Sequence, residues 1–190
     1  MTRDPSADRD QADMLALAKG DDEALNRLMD AWSQPLLAYL TRLTGSNASA
    51  SDLAQESFVR VFRHRFDFRG GSRFSTWLFT IATNLARNHL RWHSRHPELL
   101  LPPENLADLP GQVTEETPEK HAMARERITA VQEAVSELPA DMREALILST
   151  WHEMSHEEIA QVQGTSAKAV ELRVYRARKL LREKLAGQIG

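Results

Sequence analysis

The sequence contains no cysteine and no long hydrophobic run. Without cysteine it can form neither a disulfide nor a thiolate metal site, which is typical of proteins from a reducing compartment. Its N-terminus, MTRDPSADRDQAD, is polar and acidic, and no apolar stretch approaches the roughly 18 residues that cross a bilayer. We therefore expect a soluble, cytoplasmic protein that makes no membrane contact of its own.

Acidic residues are scarce in two segments, although the formal net charge of the chain is only -3. Residues 57–96 carry eight arginines and one acid, and residues 164–185 carry seven lysines and arginines against two acids. Such segments are candidate faces for a polyanion, and a solvated surface without a partner is the alternative. The positions of these charges on the helices have to distinguish the two.

Between Arg95 and Lys120 the chain has no Lys or Arg, but it has five prolines and six acids. Proline lacks an N–H and has a fixed φ, so this composition predicts a flexible, extended linker and not a helix. On both sides apolar residues recur every three or four positions, and no alternating strand pattern is found. The predicted fold class is all-α. Its predicted parts are an acidic N-terminal segment with a short helix (1–20), a first domain (21–96), the linker (97–118) and a second domain (119–187).

The stretch DLAQESFVRVFR is predicted to be a helix with one inward face. The residues expected to point inward are Leu53, Phe58, Val61 and Phe62. The opposite face carries Asp52, Gln55, Glu56, Val59, Arg60 and Arg63. A mixed face with an exposed valine suggests contact with a protein, and a plain solvated face is the alternative.

The stretch FSTWLFTIATNLARNHLRWHSR is predicted to be a helix with a core stripe and a polar stripe. The core stripe is Phe74, Trp77, Leu78, Ile81 and Leu85, and the polar one is Asn84, Arg87, Asn88, Arg91 and Arg95. Amides and guanidiniums suit base edges and phosphates respectively. Aromatic residues among arginines are also typical of single-strand binding, although for Phe66 and Phe68 core packing explains the pattern equally well.

The second domain ends in a helix-turn-helix pattern. SHEEIAQVQ is a short helix, Gly164 can end it, and AKAVELRVYRARKLLREKL is a long basic helix whose N-terminal end would enter a major groove. The residues placed to meet bases are Ser166, Lys168, Ala169, Glu171, Leu172 and Arg173, and those placed to meet phosphates are Arg176, Arg178 and Lys179. Glu171 can accept from a cytosine amino group or pair with Lys168, and we favour the pair slightly.

Residues 152–156, HEMSH, have the spacing of a zinc protease, which requires one continuous helix. Ser155 and Glu158 form a capping-box pattern that predicts a helix start at Ser155, so His152 and His156 would not share a face. A second set, His89, His93 and His96, has no cysteine or carboxylate nearby to complete a site, and Pro97 ends its helix. We therefore expect no metal, no cofactor and no catalytic residue.

Three stretches together resemble a known family. DLAQESFVRVFR, FRGGSRFSTWLFTIATNLARNHLR and ELPADMREALILSTWHEMSHEEIAQVQGTSAKAVELRVYRARKLL are similar to the two domains of an extracytoplasmic-function sigma factor of bacterial RNA polymerase. The likeness covers residues 21–96 and 119–185. It implies a non-enzymatic subunit that binds core RNA polymerase and promoter DNA, starts transcription at a specific regulon and is controlled by an anti-sigma factor.

The resemblance also implies roles for individual residues. The polymerase contact would be made by Asp52, Gln55, Glu56, Phe58 and Arg60. The minus-ten element would be held by Phe68, Arg69, Arg73, Asn84, Arg87, Asn88 and Arg91. The minus-thirty-five element would be read by Ser166, Lys168, Glu171, Arg173, Arg176 and Arg178.

The chain departs from the family pattern at the helix-turn-helix. Gln163 and Thr165 stand where apolar residues are usual, and Glu171 stands where a basic residue is common. Two other functions compete with the resemblance. A stand-alone helix-turn-helix regulator would account for the second domain but not for the first, and a zinc hydrolase would need the HEMSH histidines to meet.

Overall fold

The structure, a computed structural model, describes residues 5–96 and 118–186. Eight α-helices make up most of these two ranges: α1 Pro5–Ala18, α2 Glu23–Thr44, α3 Asn47–Arg63, α4 Phe74–Arg95, α5 Pro118–Ser136, α6 Ala140–Trp151, α7 His156–Gln163 and α8 Ala167–Ala186. Neither range contains a strand, so the all-α prediction is confirmed. The predicted linker lies outside the described residues, apart from Pro118.

The first four helices share one apolar core. α2 packs against α1, α3 and α4. The largest side chains buried in this core are Met14, Leu17, Leu28, Leu36, Tyr39, Leu40, Leu43, Phe74, Leu78 and Phe79. α1 contributes Met14 and Leu17 to this core, and the indole N–H of Trp32 on α2 donates to Asp10 of α1 at 2.9 Å. The predicted boundary at residue 20 stays a prediction.

α3 buries less of its apolar stripe than the periodicity predicts. Phe58 is 5% exposed, as expected for a core residue, but Phe62 is 36% exposed and the prediction that it points inward was wrong. The guanidinium of Arg65 lies 4.4 Å from the centre of its ring. Phe62 is in the last turn of α3, where the helix leaves the core and an arginine covers the ring instead.

The last four helices form the second domain, with a helix-turn-helix at its end. Ile159, Val170 and Val174 are buried in the corner between α7 and α8. Gly164 has φ 65°, and the N–H of Thr165 donates to the carbonyl of Ala160 at 2.9 Å. The left-handed glycine therefore turns the chain sharply and fixes the angle at which α8 leaves α7.

The two domains lie against each other in this structure. α7 packs against α4, α6 packs against α2, and buried residues of both domains form one cluster. None of the helices in the two described ranges has the length and apolar character needed to span a membrane.

Candidate nucleic-acid interface

The polar stripe of α4 forms as predicted, but its members differ in what they contact. The side chains of Asn84, Asn88 and Arg91 are exposed. Arg87 lies on the same stripe and is only partly exposed, because the second domain covers it. Four of the five residues of the stripe are therefore exposed in this structure, the fourth being Arg95 near the end of α4.

Arg87 makes a two-pronged ion pair with Glu144 of α6. Its Nε donates to Oε1 at 2.8 Å, and its Nη2 donates to Oε2 at 2.6 Å. The Glu144 side chain is only 2% exposed, and the amide of Gln163 donates to it at 3.0 Å. These hydrogen bonds to Glu144 raise the pKa of Arg87 above its ordinary value. The carboxylate of Glu144 is therefore buried with hydrogen-bond donors on both of its oxygens.

The loop before α4 carries the other three predicted minus-ten residues. The ring of Phe68 is partly buried and lies 5.4 Å from that of Trp77, centroid to centroid. Arg69 is exposed, whereas Nε of Arg73 lies 3.4 Å from Oε1 of Glu158 on α7. Gly70 has φ 65°. Among the described residues, these three therefore differ: Arg69 is exposed, Arg73 is paired, and the ring of Phe68 already has an aromatic neighbour.

The predicted polymerase contact is mostly a surface of α3. Asp52 and Gln55 are exposed, and Glu56 accepts a hydrogen bond from Arg60 at 2.9 Å. Phe58 is in the core, so its ring supports this surface from below and does not form part of it. The exposed apolar side chains beside it are Val59, Phe62 and Phe66, of which Phe66 is 68% exposed.

The first turns of α8 are organised by hydrogen bonds among their own polar residues. The hydroxyl of Ser166 accepts from the N–H of Ala169 at 3.2 Å, and Lys168 donates to Glu171 at 2.8 Å. That bond lowers the pKa of Glu171, in agreement with the pairing favoured from the sequence. Arg173 donates from Nη1 to Oε1 of Gln163 at 2.8 Å, and its Nε forms an ion pair with Oδ2 of Asp141 at 3.0 Å.

Arg176 and Arg178 are exposed farther along α8, where a phosphate backbone could reach them. Sequence reasoning missed Tyr175 beside them, which is 66% exposed. Tyr175 is three residues after Leu172 and seven after Lys168, a spacing that places all three on one side of a helix. That periodicity is the signal that could have found it.

The HEMSH motif does not form a metal-binding helix. α6 ends at Trp151, and α7 begins after Ser155, whose hydroxyl accepts from the N–H of Glu158 at 3.2 Å. The Glu158 carboxylate accepts from the Ser155 N–H in return, which completes the predicted capping box. His152 and His156 therefore lie on opposite sides of a helix break.

Comparison with known proteins assigns both domains. Residues 28–96 match the family described as Sigma-70 region 2, and residues 128–181 match Sigma-70, region 4. The ECF RNA polymerase sigma-E factor of Haemophilus influenzae is 31% identical over 180 residues, which are 93% of this chain and 95% of that protein. The chain belongs to the extracytoplasmic-function sigma factors. The RNA polymerase sigma-H factor of Pseudomonas aeruginosa is 33% identical to this sigma factor, over 92% of each chain.

Solved structures of other sigma factors share the fold. One of them is RpoE of Bartonella quintana, which was solved in complex with the anti-sigma factor NepR. It superposes on this sigma factor with a TM-score of 0.69 at 26% identity, over 85% of this chain and 96% of that one. CnrH, solved with the cytosolic domain of CnrY, superposes with a TM-score of 0.71 at 23% identity over 94% of this chain and 98% of that one. The helical arrangement is thus that of known sigma factors.

Proposed function

We propose that this sigma factor binds bacterial core RNA polymerase, recognises and opens promoter DNA, and performs no catalysis of its own. The observation that carries the proposal is the exposed stripe of Asn84, Asn88 and Arg91 on α4. The loop before the same helix adds Phe68, whose ring packs on that of Trp77. A duplex has to be opened before rings and amides can reach the faces and edges of its bases. The site is therefore suited to a melted strand.

The minus-ten element is the DNA that this surface would hold. Arg91 and Arg69, both exposed, would contact phosphates, whereas Asn84 and Asn88 would contact base edges. Taking a base out of the stack costs a few kcal/mol, which a pocket of stacking and hydrogen-bonding groups can offset. The sigma factor would thus recover, on the single strand, the free energy spent in opening the duplex.

The minus-thirty-five element would be read as duplex by the N-terminal half of α8. In a helix-turn-helix this end of the second helix lies in the major groove. Exposed side chains there are Lys168, Glu171, Leu172 and Tyr175, and Arg176 and Arg178 follow. Leu172 could contact a thymine methyl group, while the arginines would fix the register on the backbone.

Core polymerase would bind the exposed face of α3. Asp52 and Gln55 supply polar groups, and Val59, 41% exposed, adds apolar area beside them. Because the relatives solved in complex include a sigma factor with its anti-sigma factor, we also propose that such a partner controls this chain, in the cytoplasm.

The test is co-elution of the purified sigma factor with sigma-free core RNA polymerase on a sizing column. Asp52→Arg/Glu56→Arg should abolish co-elution, and Asp30→Arg/Glu133→Arg, which makes the same charge change at exposed sites off α3, should not. Failure of the folded wild-type chain to bind would contradict the proposal and favour a stand-alone helix-turn-helix regulator. Equal effects of the two double variants would show that charge, and not the α3 face, governs binding.

A further inference from the structure

Two acids of the second domain reach two cations of the proposed minus-ten surface. Glu144 of α6 pairs with Arg87, and Glu158 of α7 pairs with Arg73. The family resemblance assigns both cations to the minus-ten element, and both acids come from the domain that would read a different part of the promoter. The junction between the domains therefore covers part of a DNA-binding surface.

The pair between Arg87 and Glu144 is the more restrictive of the two. Both oxygens of the carboxylate accept from the guanidinium, so the edge formed by Nε and Nη2 is fully occupied. That edge is one of the two that an arginine can offer to a phosphate or to a base in two-pronged recognition. Arg87 cannot bind Glu144 and DNA through it at the same time.

Burial makes the contact hard to disrupt while the domains remain together. The Glu144 side chain is almost fully buried, and Gln163 donates to it from the end of α7. Gln163 also donates to the carbonyl of Asp141 at 2.8 Å and accepts from Arg173 of α8. A charge in such a place needs its partners, because it has lost its water. Loss of the arginine from a closed junction would leave the amide of Gln163 as the remaining hydrogen-bond donor to Glu144 among the described residues.

Aromatic contacts close the rest of the junction. His152, in the turn between α6 and α7, lies against the rings of Tyr39 and Phe79, at centroid distances of 5.8 Å and 4.8 Å. The guanidinium of Arg42 lies 5.1 Å from the centre of the Trp151 ring. Each contact joins a residue of α2 or α4 to one at the end of α6, so polar and apolar groups hold the same closed arrangement.

We infer that the free sigma factor is autoinhibited by this junction, with the Glu144 carboxylate occupying the place on Arg87 that a DNA phosphate or base would take. The inference rests on the proposed function of α4 as a DNA surface. It adds that the second domain is itself an inhibitor, before any other protein is involved. Binding of the minus-ten strand then requires the domains to separate, which lowers the apparent affinity by the fraction of chains that are open.

The test uses the lack of cysteine in the chain, which lets two introduced cysteines carry a fluorescence donor and acceptor. Ala48→Cys on α3 and Gln161→Cys on α7 are exposed positions in different domains. Glu144→Gln keeps the shape of the side chain and removes its charge. This substitution should raise the fraction of open chains and so lower energy transfer. The affinity for a labelled single-stranded oligonucleotide of mixed sequence should then rise by roughly threefold or more.

Four further variants make the result specific. Glu133→Gln removes the same charge from an exposed site on α5 and should change neither signal. Arg87→Glu/Glu144→Arg reverses the pair and should restore energy transfer that Glu144→Arg alone has lost, which also shows that these chains fold. Adding Arg87→Ala to Glu144→Gln should cancel the gain in DNA binding.

The inference is overturned if Glu144→Gln leaves energy transfer unchanged, or if it opens the chain without tightening DNA binding. An equal effect of Glu133→Gln would also overturn it. Failure of the proposed function looks different: Arg87→Ala would then leave promoter opening by the complete polymerase unaffected, whatever the free chain does. The two failures are therefore measured in separate assays.

Discussion

The imidazole of His152 lies 4.8 Å from the ring of Phe79, centroid to centroid, across the junction between the two domains. Its Nε2 is buried and has no hydrogen-bond partner among the described residues. Burial, with a smaller contribution from the charge of Arg42, lowers the pKa of His152 to about 4 from the ordinary 6.5. The closed arrangement thus holds this histidine neutral.

Acidification is expected to separate the domains. Above pH 6.5 His152 is neutral whether the chain is open or closed, so the closed form has its full stability. Below that pH the open form takes up a proton that the closed form excludes. The equilibrium constant for closing should then fall by up to about tenfold for each pH unit, until the pH reaches the pKa of His152 in the closed form. Energy transfer between labels at positions 48 and 161 measures this.

The control for acidification is His152→Phe, which keeps a ring in the aromatic site and cannot take up a proton. It breaks no hydrogen bond at Nε2, because that atom has no partner among the residues described. The variant should remain closed as the pH falls, apart from the response of other groups. If wild type and variant open in parallel, the pH dependence belongs to other side chains.

Local signals in the sequence predicted the ends of the helices around this junction. The Ser155 and Glu158 capping box and the left-handed Gly164 depend only on neighbours in the chain, and both form. The partner of Gln163 could not be predicted in the same way. Gln163 stands where an apolar residue is usual in the family, but its amide donates to the buried carboxylate of Glu144, which lies 19 residues earlier in the chain and pairs with the other domain.

Gly70→Ala should weaken promoter opening while polymerase binding remains. Gly70 has φ 65°, and an added Cβ would lie 2.7 Å from the side-chain nitrogen of Gln11. A residue other than glycine in the left-handed region costs roughly 1–2 kcal/mol, so the loop that carries Phe68 and Arg69 should shift. Stopped-flow fluorescence of promoter opening and sizing-column co-elution measure the two properties.

The matched control for Gly70 is its neighbour. A Cβ added at Gly71 would meet nothing within 4 Å, and its φ lies outside the range that disfavours other residues. Gly71→Ala should therefore leave promoter opening near the wild-type rate. Equal losses from the two variants would mean that the flexibility of the whole loop, and not the conformation at Gly70, is what opening requires.

Glu171→Gln should tighten binding of the sigma factor to duplex DNA without changing its melting temperature. Glu171 pairs with Lys168 on the exposed first turns of α8, and an exposed pair adds little to stability. The substitution frees the ammonium and removes a negative charge from a DNA-facing helix, which should raise affinity for any duplex. Anisotropy with two unrelated duplexes measures it. Weaker binding to a selected promoter alone would instead show that Glu171 reads a cytosine.

The parts of the surface that the sequence identified correctly are those set by helical periodicity. Asn84, Asn88 and Arg91 repeat at steps of four and three on a long helix, and all three are exposed. Periodicity has no information on what a distant segment covers, which is why the same rule could not distinguish Arg87 from its neighbours. It also fails in a last turn, as Phe62 shows, because the core ends before the pattern does.

Arg91→Ala and Asn88→Ala should impair promoter opening through different terms of the binding free energy. Arg91 would contact phosphate, so its loss should lower the slope of log affinity against log salt by about 0.7 for a single strand. Asn88 is uncharged and would contact a base edge, so its loss should leave the slope unchanged while reducing discrimination between sequences. Both should still bind core polymerase.

The DNA for this test is a single strand from a promoter that the wild-type complex selects from genomic DNA. The measurement is the affinity of the polymerase-bound sigma factor for that strand at a series of salt concentrations. Both substituted side chains are exposed on α4, so neither change is expected to disturb the core. A shift in slope from Asn88→Ala, or none from Arg91→Ala, would contradict the assignment of amides to bases and guanidiniums to phosphates. The α4 stripe would then act as one electrostatic surface, and promoter choice would have to come from α8.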